Sequence, residues 1–186
     1  MKSLKHLGWI ALSILFLVAS SLISARVALL DLRKESEQQL KDVDITGAKL
    51  DGVTVQVEKT RAVATPQRTD RALVHIRLSL QGPENARHSW VDCRLTLHDE
   101  QNRIWNPVET AETDGAIKFV TADRKNNGRC NPMPYDAPTD GRAILSDQIF
   151  LVPVDVLEQL TLHVSAYGTR PRALAIRITP DLTVLN

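Results

Sequence analysis

The sequence predicts a mainly β fold, an antiparallel, immunoglobulin-like β-sandwich of seven to nine short strands preceded by one N-terminal transmembrane and juxtamembrane helix. Three observations predict it. From residue 43 onward, apolar residues alternate with polar ones in short runs, the period of a half-buried strand. Turn residues interrupt those runs every 8–15 residues, and no helix of 10–15 residues intervenes, which favours a sandwich over βαβ units. Finally, Leu7–Ala25 is 19 residues long and carries no charged side chain.

At about 1.5 Å per residue that segment covers roughly 28 Å as a helix, close to the ~30 Å hydrocarbon core of a bilayer. Its serines (Ser13, Ser20, Ser21 and Ser24) suit a buried helix because a serine bonds back to a preceding carbonyl. Trp9 stands near the start, at interfacial depth. The segment is apolar all round, unlike an amphipathic surface helix. The competing reading is a cleaved signal peptide. Lys2 and Lys5 form a positive leader, and Val18-Ala19-Ser20 or Ile23-Ser24-Ala25 offers a small-residue cleavage site. The run exceeds the ~7–15 residues of a signal's apolar region, so an anchor is favoured. No cysteine lies near residue 20, which excludes a lipoprotein anchor.

Flanking charge does not set the orientation, since Arg26, Arg33, Lys34 and Lys41 follow the segment while Lys2 and Lys5 precede it. Two other features do: the leading tail is short and long domains translocate largely regardless of charge, and the downstream domain carries the pair Cys93 and Cys130, which suits an oxidising compartment. The expected plan is a cytoplasmic tail (1–6), a transmembrane anchor (7–25), a juxtamembrane helical stalk (26–42), a β-sandwich (43–180) and a tail (181–186). The sandwich then lies on the periplasmic or extracellular side of the inner or plasma membrane.

Composition narrows the function. The chain has 23 Lys+Arg and 22 Asp+Glu, and only Lys2 and Lys5 fall in residues 1–25, leaving 21 against 22, or −1. A near-neutral domain lacks the basic face that a nucleic-acid binder needs. There is no internal repeat and no low-complexity tract.

The stalk RVALLDLRKESEQQLK is rich in helix formers, with Leu29, Leu32, Ser36 and Val43 at heptad-like spacing over too few heptads for a coiled coil. Asp51-Gly52 marks a turn, and Val53, Val55 and Val57 alternate after it. Residues 61–70, with Pro66, read as a loop. In 71–81, Ala72, Val74, Ile76, Leu78 and Leu80 face one way, and Leu73, His75, Arg77, Ser79 and Gln81 the other. Residues 88–98 repeat that logic, with Val91, Cys93, Leu95 and Leu97 inward and Trp90, Asp92, Arg94, Thr96 and His98 outward. A turn at 99–102 leads to a short strand at 103–108, and Ile117, Phe119 and Val120 suggest another. Residues 123–142 form a long loop with three prolines and two glycines. An apolar strand follows at 143–152, with a bulge expected at Ser146-Asp147. After it come a helical turn at 153–159 and strands at 160–166 and 174–178.

The order of GVTVQVEK, LVHIRLSLQG, LTLHDEQNRIW and IFLVPVDVLEQLTLHVS resembles the DUF4352-type, TelA-like immunoglobulin domains of small bacterial envelope proteins, over roughly residues 52–179. In that pattern the turn before the aromatic residue commonly carries glycine, whereas Asn102 stands here before Arg103-Ile104-Trp105. The resemblance implies an exported, membrane-tethered accessory domain without catalytic residues.

Cys93 and Cys130 are the only cysteines. In an exported domain such a pair points to a disulfide, which here would pin the long loop. His75, His88, His98 and His163 show no metal-ligand spacing. There is no nucleophile-elbow or phosphate-loop motif, so neither an enzyme nor a cofactor is expected. Trp90, Arg94 and His98 on one outward face, with His163 and Tyr167 on another, supply the residue types that anchor protein interfaces. The expected function is a single-pass, membrane-anchored module presenting its sandwich to a protein partner in the cell envelope. The alternatives are a small-ligand domain using the 123–142 loop and a secreted form of the same domain. Oligomeric state and partner identity are not legible.

Overall fold

The computed structural model of the chain describes residues 2–35, 39–109, 113–121, 123–130 and 142–184. It divides into two units, Met1–Ser36 and Glu37–Asn186. The first is helix α1, Lys2–Glu35. Within it Gly8–Leu32, 25 residues with no buried portion, is long and apolar enough to cross a membrane, at about 38 Å of helix.

The second unit is mainly β. Its strands are β1 (Gln39–Val43), β2 (Ala48–Leu50), β3 (Val53–Thr65), β4 (Arg68–Gln81), β5 (Arg94–His98), β6 (Ile104–Trp105), β7 (Ile144–Pro153), β8 (Leu160–Ser165), β9 (Arg172–Ile178) and β10 (Asp181–Val184). Helix α2 (Glu84–Arg87) and a 3-10 turn at His88–Trp90 follow β4, helix α3 (Thr113–Val120) follows β6, and a 3-10 turn at Val154–Gln159 follows β7. One sheet runs β1-β9-β8-β5-β6 and the other β10-β3-β4-β7, with β2 also on β3. The core between them includes Val53, Val55, Ile76, Leu78, Leu97, Phe150, Leu162 and Ile176, all at or near zero exposure.

The long strands run as the alternation requires. On β4, Val74, Ile76 and Leu78 pair with Phe150, Gln148 and Ser146 of β7 and face the core. Strand β3 outlasts its expected end at Glu58 because register shifts at Val57/Lys59 and Val63/Thr65 change which residues point inward, as a bulge does. The expected loop at 61–70 is therefore a hairpin, with only Pro66 and Gln67 outside the strands. Gly47 (φ +93°) turns the chain where an added Cβ would lie 2.2 Å from the Val55 carbonyl oxygen. Asn102, at φ 59°, takes the left-handed conformation that asparagine tolerates better than most residues, so it serves in place of the glycine of the resembling pattern.

Several expectations are corrected. Of the stalk expected at 26–42, the described helix α1 runs to Glu35, whereas Gln39–Val43 is a strand that pairs in parallel with β9. The tail's Asp181–Val184 pairs in parallel with β3. The sandwich is thus not wholly antiparallel and has ten strands among the described residues. Residues 84–90 wind as α2 and a turn, so the strand expected from 88 begins only at Arg94. The β4–β7 register is unbroken at Ser146-Asp147, so no bulge lies there. Ile117–Val120 is helical. Ile117 and Val120, three apart, turn to one side, while Phe119 turns away.

Helix α3 covers the outer face of the second sheet. Ile117 and Val120 pack with Val63 and Ile149 in a small second core, and Arg61 Nη1 donates to the Val120 carbonyl at 3.0 Å, a cation at a helix C-terminus.

Candidate functional site

The polar side of β4 is not a solvent face. Arg77 and Asp147 are cross-strand partners on its outer side, and Asp147 is fully buried. Asp147 Oδ1 accepts from His75 Nε2 at 2.7 Å and from Arg77 Nε at 2.8 Å. Its Oδ2 accepts from Arg77 Nη2 at 3.2 Å, from the Asn127 backbone at 2.8 Å and from Asn127 Nδ2 at 2.7 Å. Arg77 also reaches Asp123, with Nη1 donating to Oδ2 at 2.6 Å and Nη2 to Oδ1 at 3.2 Å, and it donates to the Lys125 carbonyl at 3.3 Å. The guanidinium fork suits such bidentate bonding.

Burial alone would push Asp147 up, but hydrogen bonds from His75, Arg77 and Asn127 outweigh it and hold the carboxyl below the usual carboxylate range. The hydrogen bond from Arg77 brings Asp123 down to about 2. Bonds to Asp123 and Asp147 in turn raise Arg77 further above its already high value. The network fastens residues 123–128 to the sheet, and Asp147 N also donates to the Gly128 carbonyl at 2.8 Å. Its visible role is structural. The sequence held one signal for it, a charged aspartate within the strand ILSDQIFLVP, which must find partners where it is buried.

Cys130 continues from that segment into the core and is disulfide-bonded to Cys93, with Cα atoms 5.6 Å apart. Of the long loop, residues 131–141 lie outside the described residues. The described part is pinned twice, by the ionic network and by the disulfide. Beside the disulfide lies a polar cleft of about 350 Å³, with Arg94, Arg129, Asn106 and Gln148 in its wall.

A second concavity, of about 430 Å³, is apolar. Leu73, Val63, Val120, Leu151 and Phe119 line it, with Arg68 and Arg71 at the rim. Phe119 is 70% exposed and Leu151 43%. An exposed aromatic ring beside an apolar trough is the kind of arrangement at which protein interfaces concentrate their binding energy.

The expected interface residues separate. Trp90 is corrected: it is wholly buried in the main core, because the 84–90 segment is helical and period-2 alternation does not apply. Its indole N–H has no hydrogen-bond partner among the described residues. Arg94, Thr96 and His98 do share the outer side of β5, and His163 pairs opposite Thr96. The His98 and His163 rings stack at 3.7 Å between centroids, 20° from parallel, and Thr96 Oγ1 and His98 Nε2 are 2.8 Å apart. His163 is buried, and His98 and Arg94 are half-buried. Tyr167 sits beyond β8, part exposed, with the Arg170 guanidinium 5.9 Å from its ring centre. The five residues therefore form no single face. Among the described residues no group of three or more His, Cys, Asp or Glu is placed to hold a metal ion.

No protein-family model matches the chain, and no curated protein matches it.

Proposed function

We propose that this protein is a single-pass, membrane-anchored module that presents its β-sandwich to a protein partner in the cell envelope. The observation that carries this reading is the apolar trough of Leu73, Val120 and Leu151, flanked by the exposed Phe119 ring. Large exposed aromatics at apolar concavities are where interface energy concentrates. The arginines at the rim favour an acidic border on the partner. The apolar Gly8–Leu32 segment supports tethering, and the Cys93–Cys130 bond supports an oxidising, extracytoplasmic compartment with the N-terminus cytoplasmic. The resemblance to DUF4352-type, TelA-like domains fits the same reading and rests on strand pattern alone. No catalytic residue is assigned.

The test is photo-crosslinking from position 119 in native membranes. The reading expects one dominant protein adduct, lost when Leu151→Ser is added and absent when the photoreactive residue replaces exposed Lys49 instead. Equal, diffuse labelling from both positions would refute it.

A further inference from the structure

The trough beside Phe119 has a direction and a length, and both follow from the strand register. Val63, Leu73 and Leu151 are cross-strand partners on β3, β4 and β7, so they form one apolar row across three strands. At about 4.8 Å per strand the row is roughly 10 Å long. One step along β4 on the same face stands Arg71, opposite Pro153 of β7, about 7 Å from the row. On the other side of the row lies α3. Val108, ahead of that helix in the chain, donates its N–H to the Ile149 carbonyl of β7 at 2.8 Å, and the helix's last residue, Val120, is held by Arg61 of β3. Arg61 and Ile149 both pair with His75, one step from Leu73 in the direction opposite to Arg71. Helix α3 therefore crosses the strands from β7 to β3, alongside the row.

The trough suits a helix better than a strand. Helix α3 already covers part of this face, setting Ile117 and Val120 down onto Val63 and Ile149. That layer stops short, leaving Leu73 half-buried, Leu151 exposed, and the Phe119 ring exposed and lining the trough. A second helix laid beside α3 would meet Leu73 and Leu151 beneath it and Phe119 on its flank. Apolar side chains at i, i+4 and i+7 span about 10 Å of helix, the length of the row. An extended segment joining the β7 edge is obstructed, because Asp147 and Ile149 are already bonded there to Gly128 and Val108 and Pro153 has no N–H. Charge narrows the choice further. The lining includes Arg68 and Arg71 and no carboxylate. Asp70 pairs with Arg71 at 3.3 Å, and Arg68 has no ion-pair partner among the described residues, so the border favours an acidic flank.

We propose that the trough seats one amphipathic helix of the partner protein, packed beside α3, with Asp or Glu along the flank that meets Arg68 and Arg71. This rests on the reading of the Phe119 trough as the partner surface and adds the form and charge of what binds there.

The test uses the full chain in nanodiscs of zwitterionic phosphatidylcholine and a synthetic helical peptide of about fifteen residues. The peptide carries leucine at i, i+4 and i+7 and glutamate along one flank, in an alanine and glutamine background. A second peptide has lysine in place of glutamate, and a third has serine in place of leucine. Fluorescence anisotropy is expected to show the glutamate peptide binding at about 10–100 µM and the other two at least about tenfold more weakly. Leu151→Ser is expected to weaken the glutamate peptide by about tenfold. The double variant Arg68→Glu/Arg71→Glu, at two exposed positions, is expected to invert the preference, so that the lysine peptide binds better; a folding defect would weaken both peptides alike. The proposal is overturned if the glutamate peptide shows no binding at about 1 mM, if the double variant does not invert the preference, or if phosphatidylglycerol vesicles displace the peptide from the native chain but not from Arg68→Glu/Arg71→Glu, which would make the trough a lipid surface. A dominant adduct from position 119 without peptide binding keeps the partner and removes the helix, whereas diffuse labelling from position 119 removes the partner itself.

Discussion

Replacing Asp147 by leucine tests whether the buried ionic network holds the 123–128 segment to the sheet. Leucine fills similar space but accepts no hydrogen bond. His75 Nε2, Arg77 Nε and the Asn127 amide groups, now 2.7–2.8 Å from the carboxylate, would lose their acceptor in a buried site. Removing one partner of a buried charged pair costs about 3–5 kcal/mol. Arg77 keeps Asp123, so the lower end applies, about 3 kcal/mol. For the unit Glu37–Asn186 the unfolding entropy is about 0.3 kcal/mol per kelvin, so the melting temperature should fall by about 10 °C. The double variant Arg77→Met/Asp147→Leu should recover at least half of that loss, because an apolar pair leaves no unpaired buried charge. The assay is thermal unfolding of the full chain in detergent micelles, followed by near-UV circular dichroism, with buried Trp90 as reporter. A loss below about 1 kcal/mol for Asp147→Leu, or a double variant as unstable as the two single losses combined, would refute the reasoning.

Acid should weaken the same network. Asp123, brought down to about 2, and Asp147, also lowered, have folded values below their unfolded ones. Their stabilisation is therefore complete above about pH 4 and is lost as pH falls through about 2; a melting temperature that stays flat over that window contradicts it. Reducing the Cys93–Cys130 bond, which spans a separation of 37 residues, should cost about 4 kcal/mol in the chain-entropy account. Melts with and without reductant, paired with non-reducing gels, measure this, and identical melts after confirmed reduction would defeat it. Gly47→Ala should destabilise by at least about 1–2 kcal/mol, since a Cβ at φ +93° would lie 2.2 Å from the Val55 oxygen; a neutral result in denaturant unfolding argues against that turn.

Local chemistry determined much of this protein from sequence alone. The alternation in 53–57, 71–81 and 160–166 specified strands and their inward residues, because side chains on a strand point to opposite faces. The uncharged run at Leu7–Ala25 specified a helix of membrane-spanning length, because no other element satisfies the backbone of so apolar a stretch. What was not legible depended on distant partners. Gln39–Val43 and Asp181–Val184 carry little alternation of their own and became strands only because β9 and β3 offered unpaired edges. Ile117, Phe119 and Val120 fit either period in so short a run, and packing against Val63 and Ile149 decided for a helix. Trp90 went to the core because the chain coiled before β5. His75 and Arg77 read correctly as the polar side of their strand, but only the tertiary structure laid a further layer over that side and set Asp147 opposite them. A sequence states which residues need partners; which distant segment supplies them is settled by how the sheets stack and where the loops cross.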